Sequence, residues 1–224
     1  MRNLIYIIVL FYSLDCFGQF NLVPNPSFEN YTSCPNTSGQ LSFAFPWINP
    51  CAASNPDYFN SCSSLMSVPV CGGSYCFQFA KTGNAYAGLY TFDKQVSNVR
   101  EYLQASLSSA LVNGKCYYVG FYSNFANWTG KPSNNLGCYL STNQISNPGP
   151  SYILNYIPQV KTFNNKIIKD TLAWQLIGGI FQSSGNEQYI TIGNFNSDAT
   201  TDTMTYNPSA LYPSGAYYHI DDVF

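Results

Sequence analysis

The sequence predicts an all-β domain, an antiparallel β-sandwich of jelly-roll topology. Three observations lead there. Short runs rich in aromatic and β-branched residues recur along the chain, punctuated by Gly, Asn and Pro. No segment carries a convincing helical pattern, and the best, residues 99–110, reads equally well as a strand. Aromatic residues make up 17% of the chain and charged residues only 9%, so the chain folds despite its low charge.

The elements follow in order. Residues 20–28 read as a first strand, placed at a sheet edge because Pro24 and Pro26 lack a backbone donor. Residues 30–75 are rich in Pro, Asn, Ser and Cys and read as a long stapled loop region. Residues 85–92 and 100–108 read as strands. Asn113-Gly114 signals a hairpin that joins the second of these to residues 116–123. Residues 127–135 form a polar loop carrying Trp128. Short strands at 136–141, 157–163, 174–182 and 189–195 follow, and residues 216–224 read as the closing strand. With no internal repeat and no linker, residues 19–224 read as one domain. It stops within a strand, as if further sequence follows.

Residues 1–18 have the form of a secretory signal peptide. Arg2 supplies the charge, residues 4–14 the apolar run, and Cys16-Phe17-Gly18 the small-x-small cleavage pattern. Such a leader exports the protein to the cell surface, the outer membrane or the medium. No later run is long and apolar enough to form a membrane-spanning helix. Losing the leader removes Arg2 and Asp15 and leaves the formal net charge at -2. A surface so poor in bases has no footprint for nucleic acid and no basic face for anionic lipid.

Seven cysteines remain: Cys34, Cys51, Cys62, Cys71, Cys76, Cys116 and Cys138. The odd count leaves at least one outside an intrachain disulfide, and export favours disulfides. Cys71 and Cys76 are placed to close a small loop. Cys116 and Cys138 lie in two strand-like runs and are candidate cross-strand partners. Any two of Cys34, Cys51 and Cys62 are candidates to pair. Irregular spacing and a single histidine, His219, argue against zinc.

Two acids, Asp221 and Asp222, stand side by side in the closing run. Neighbours on a strand face opposite ways, so one of them faces inward. A buried carboxylate needs a partner or a cation, and bases are scarce nearby. Bound Ca²⁺ answers that need. The plainer reading leaves both acids solvated or bonded to a turn.

The block Asn21-Leu22-Val23-Pro24-Asn25-Pro26-Ser27-Phe28-Glu29 and the block Tyr218-His219-Ile220-Asp221-Asp222-Val223 bracket the domain. Together they resemble the galactose-binding-like jelly roll of several carbohydrate-binding module families. Interior blocks, among them residues 56–62, 83–88, 100–102 and 189–195, narrow the resemblance. They are similar to the N-terminal domain of exported Bacteroidota surface proteins, which often carry an OmpA-like or type IX secretion sorting domain downstream. The resemblance implies a structural calcium joining the first strand to the last. Its ligands would be Glu29, the Ser27 main chain, and Asp221 or Asp222.

A hydrolase of Ser-His-Asp type would have to use His219, and no Gly-x-Ser-x-Gly elbow is present. A glycosidase needs two carboxylates across a cleft, and Asp57 with Glu101 is one pair to weigh. A sugar-binding surface needs flat ring faces beside hydrogen-bonding groups. Trp128 is the first candidate, followed by Trp47 and Tyr58, with Arg100 as a polar partner. Trp47 lies between Pro46 and Pro50 and reads equally well as a core plug. Trp174 alternates with Leu176 and reads as core. The expected function is non-catalytic recognition of a glycan or a cell-envelope component. The alternatives are a structural or adhesive domain that binds no sugar, and a glycan-active hydrolase.

Overall fold

The computed structural model describes residues 20–71, 76–150 and 152–224; the leader at residues 1–18 lies outside them. Eleven strands are present: β1 (Asp57–Asn60), β2 (Val70–Cys71), β3 (Cys76–Phe77), β4 (Ala85–Asp93), β5 (Tyr102–Ser106), β6 (Cys116–Phe125), β7 (Leu136–Ser141), β8 (Val160–Lys161), β9 (Gln175–Gln182), β10 (Tyr189–Asn194) and β11 (Gly215–Asp221). Three single 3₁₀ turns are the only helical elements among the described residues.

The strands form a five-stranded sheet in the order β1-β4-β11-β6-β9 and a four-stranded sheet in the order β5-β10-β7-β8. A small β2-β3 ladder stands apart. Every strand pairing is antiparallel. From β4 to β7 the chain changes sheet at each step, which gives the jelly-roll sandwich.

Period-2 alternation decides which face each side chain takes. Ala85, Ala87 and Leu89 of β4, Val119, Phe121 and Phe125 of β6, and Tyr218 and Ile220 of β11 point inward. They meet Leu103 and Ala105 of β5, Leu136, Cys138 and Leu140 of β7, and Ile190 and Ile192 of β10. The alternate residues of the five-stranded sheet form a second face. There Phe59, Tyr86 and Tyr217 pack under Met66, Val68, Cys71 and Cys76. The β2-β3 ladder thus covers part of the sheet's outer side.

Four expectations are corrected. Residues 20–28 form no strand; Asn25 and Phe28 take φ of 47° and 59°, and the prolines deny the segment its donors. It is tied down singly instead: Val223 N donates to Pro26 O at 2.9 Å, and Asn21 Nδ2 donates to Val223 O at 2.8 Å. The chain ends therefore meet through isolated bonds, and β11 itself lies between β4 and β6. Second, the Asn113-Gly114 turn is no hairpin, because β5 and β6 belong to opposite sheets. Third, Cys116 on β6 and Cys138 on β7 also sit in opposite sheets and carry free thiols. Fourth, Trp174 is half-buried on the outer face, where its Nε1 donates to Phe79 O at 3.0 Å.

The disulfides are Cys34–Cys62, with Cα atoms 5.9 Å apart, and Cys71–Cys76, with Cα atoms 5.2 Å apart. The second closes β2 onto β3, as its spacing suggested. The first staples the loop region to the turn after β1. Cys51 is buried elsewhere, its sulfur 3.9 Å from Tyr152 O.

Trp47 is fully buried. Its ring lies 4.9 Å from that of Phe28 and its Nε1 donates to Asn25 O at 2.9 Å. It closes one end of the core and joins the loop region to the N-terminal segment. Trp47→Ala is expected to lower unfolding stability by about 3–5 kcal/mol, read as a shifted urea midpoint at unchanged m-value.

Candidate functional site

The outer face of the five-stranded sheet carries three polar stations in a row. Asp57 and Phe59 of β1, Tyr86, Gly88 and Tyr90 of β4, and Tyr217, His219 and Asp221 of β11 share that face by register.

At one end stands Asp221, fully buried. Its Oδ2 accepts from the backbone N–H of Lys81 at 2.7 Å and of Thr82 at 3.3 Å. Its Oδ1 accepts from Asp222 N at 2.7 Å. Glu29 Oε1 meets the same loop, accepting from Asn84 N at 2.8 Å and Ala85 N at 2.9 Å. Thr82 Oγ1 donates to Asp222 Oδ1 at 2.5 Å. Residues 81–85 are thus held from both chain ends. Gly83, at φ 66°, lies where a Cβ would run into the Glu29 carboxylate. Burial and the adjacent Asp222 push Asp221 up to about 8 from the ordinary 3.8.

In the middle is His219, enclosed by the rings of Phe59, Tyr86, Tyr217 and Trp174 at centroid distances of 5.8, 4.8, 5.8 and 6.5 Å. Its Nδ1 lies 2.8 Å from Asn124 Oδ1. That partner is an amide, not the acid of a Ser-His-Asp set. Burial pushes the imidazole down to about 3 from 6.5.

At the other end the face opens into a cleft of about 490 Å³. Its rings are Tyr90, Trp128, Tyr152 and Tyr212, and its acids are Asp57, Asp93 and Glu101; Asn55 and Gln95 add amides. Trp128 stands edge-on to Tyr90 at 6.1 Å and to Tyr212 at 5.4 Å. Its indole nitrogen is buried and meets no acceptor. Gly88 leaves the room in which the Tyr217 ring lies across β4. From there the Tyr217 hydroxyl donates to Asp57 Oδ2 at 2.5 Å, while Gly39 N donates to Asp57 Oδ1 at 2.7 Å. Glu101 Oε2 accepts from Tyr90 N at 2.8 Å and Oε1 from Asn55 N at 3.2 Å. Burial and the nearby Asp57 push Glu101 up to about 8 from 4.5. Burial also raises Asp57, against the pull of its two donors.

Of the four ligand-binding candidates, the structure brings only Trp128 to this cleft. Trp47 is sealed in the core, as described. Tyr58 is fully buried on the inner face of β1, and its hydroxyl donates to Phe28 O at 2.9 Å. Arg100 is also fully buried, bonding Asn196 O and pairing with Asp198 at 2.8 Å. None of the three can touch a glycan from these positions. Sequence reasoning missed Tyr90, Tyr152 and Tyr212, which come from three separate segments. The pair Asp57 and Glu101, weighed for hydrolysis, does reach one cleft. Among the described residues no helix is long and apolar enough to cross a membrane.

No family model matches the chain, and no curated protein matches it. Solved structures similar to it include the CBM22-1 xylan-binding domain of Paenibacillus barcinonensis Xyn10C, at 10% identity over 88% of each chain with a TM-score of 0.44. The K1 cleaved adhesin domain of Lys-gingipain from Porphyromonas gingivalis W83 is 15% identical, over 88% of this chain and 93% of that one, with a TM-score of 0.42. A CBM61 module in complex with β-1,4-galactotriose is 13% identical, over 92% of this chain and 97% of that one, with a TM-score of 0.37. Two of these neighbours are carbohydrate-binding modules by name and one is an adhesin domain; the fold assignment here stands on the strand pairing.

The shifted groups set a pH dependence of stability. Glu101 and Asp221 hold protons in the folded state up to about 8. Their contribution is present below the unfolded values and is lost as pH rises through about 8. His219 acts in the opposite sense: its contribution is complete above 6.5 and is lost as pH falls toward about 3. Between 6.5 and 8 only the carboxyls act, so the urea midpoint is expected to fall across that window. Glu101→Gln should flatten the fall, and an equally steep fall in the variant would contradict the assignment.

Proposed function

We propose that this chain is an exported glycan-recognition module and that the cleft around Trp128 is its binding surface. One observation carries the reading. Four aromatic residues line, beside amide and carboxyl groups, a single concave site of about 490 Å³. Sugar rings offer C–H faces that stack on aromatic rings, and hydroxyls that bond amides and acids. Small-molecule sites have this size and this mix of apolar wall and a few polar groups. Two disulfides suit an oxidising compartment.

Hydrolysis is a poorer reading of the same cleft. A glycosidase needs one carboxyl to protonate the leaving oxygen and another to attack or activate water. Both oxygens of Asp57 and both of Glu101 are already bonded to the protein's own donors.

The proposal includes a structural Ca²⁺ where the chain ends converge on residues 81–85. Among the described residues no three acidic, His or Cys side chains come together as a metal site, so an ion held by Glu29, Asp221 or Asp222 would need main-chain oxygens such as that of Ser27 to complete its shell. The backbone amides already answer Asp221 and Glu29, so the loop closes without the ion and the ion would add stability to it. Ca²⁺ is expected to raise the melting temperature by several degrees over the chelated protein. No change on chelation removes the calcium and leaves the glycan reading intact.

A glycan array probed with the protein and with Trp128→Ala tests the function. Binding to a restricted set of glycans is expected, with a loss of at least about tenfold in the variant. Circular dichroism would confirm that the variant stays folded. Absence of any glycan binding would favour a structural or adhesive domain.

A further inference from the structure

We propose that the ligand of this cleft carries a protonated amine, the class to which unacetylated amino sugars belong. The inference rests on the glycan reading above and narrows it.

Among the described residues, the cleft is lined by three acids, Asp57, Asp93 and Glu101, and by no lysine or arginine. Lys94, next to Asp93 in sequence, is exposed and does not line the cleft, and Arg100, next to Glu101, turns the other way. Successive residues on extended backbone face opposite sides, and the Arg100 guanidinium is spent on Asn196 O and Asp198. Glu101 is left buried with two backbone N–H donors and no cation. Asp57 has one backbone donor and one phenol. The other titratable side chains facing them are the phenols of Tyr90, Tyr152, Tyr212 and Tyr217, none of them a base. Hydrogen bonds would satisfy these carboxylates only in part, and among the described residues no cation pairs with them, so Glu101 and Asp57 are held toward the protonated form.

An ammonium group would supply the missing charge. Carboxylate oxygens keep a second lone pair after accepting one N–H, so the amides already present need not be displaced. The walls suit the same guest. Cations are attracted to the faces of Trp and Tyr rings, and the edge-on packing of Trp128 against Tyr90 and Tyr212 turns their faces in different directions. The cleft is far larger than one ammonium, and Asn55 and Gln95 give a sugar's hydroxyls partners within it. An acidic glycan would meet like charge and be rejected. A neutral one would leave the buried Glu101 and the half-buried Asp57 without a cation.

Calorimetric titration of the whole protein tests this with three probes: a β-1,4-linked glucosamine tetramer, its N-acetylated counterpart and the glucose tetramer. The glucosamine tetramer is expected to bind at least about tenfold more tightly than the other two. Added salt should weaken it. Asp57→Asn should cost the glucosamine tetramer severalfold in affinity. Asp93→Asn, at a half-buried position, should do the same without threatening the fold. Neutral tetramers binding as tightly as the amine, in a manner lost in Trp128→Ala, would overturn the amine and keep the glycan reading. No binding of any tetramer would overturn both. Displacement of the bound tetramer by a lysine-rich peptide of higher affinity would also overturn the amino-sugar assignment.

Discussion

The structure depends on how a chain with few bases accommodates its acids. Ten acids follow the leader, from Glu29 to Asp222. Among the described residues, only Asp198 is paired with a cation. The others are held by amides and hydroxyls. Glu29 and Asp221 take the backbone N–H groups of one loop. Glu187 is held by Ser183 and by Ser184. Asp170 accepts from two backbone N–H groups just after it, and Asp202 takes Asn134. A carboxylate answered in this way folds specific loops around itself, because each donor must come from a particular backbone position. The acids therefore act as organising centres for a chain whose loops are long and whose regular strands are short.

The same rule links fold to function along one face of the sheet. At the β11 end, Asp221 fastens residues 81–85 to the sheet. In the middle, His219 is dehydrated among rings and bonded to Asn124. At the β1 end, the cover formed by the β2-β3 ladder gives way to the cleft, whose wall includes Asp57 and Glu101. All three stations arise from period-2 register on β1, β4 and β11. Only the last has room for a guest.

Much of the fold was legible because alternation and turn residues survive without tertiary context. Strands β4, β7, β9 and β10 lie close to where the pattern placed them; of the acid pair Asp221 is the buried member, but it lies on the outer face of the sheet under residues 81–82 and not in the core. What failed is instructive. Residues 20–28 have strand-like composition, but two prolines and two positive φ angles break the ladder. Asn113-Gly114 makes its turn, with Gly114 at φ 75°, yet a turn cannot say which sheet the next strand joins. The site was less legible. Trp128 stood out as an aromatic in a polar loop, but its partners Tyr90, Tyr152 and Tyr212 are distant in sequence. Arg100 looked available because its burial is decided by Asp198 and Asn196, about a hundred residues away. Its neighbour Glu101 is the residue that reaches the cleft.

The central claim is that buried acids in the cleft lack a balancing charge. It can be read directly by following the side-chain carboxyl ¹³C resonances of Glu101 and Asp57 through a pH titration of the free protein. The account predicts that Glu101 titrates near 8 and that Asp57 titrates above the ordinary 3.8. A Glu101 midpoint at the ordinary 4.5 would contradict it, because the cleft would then hold a solvated or already compensated carboxylate.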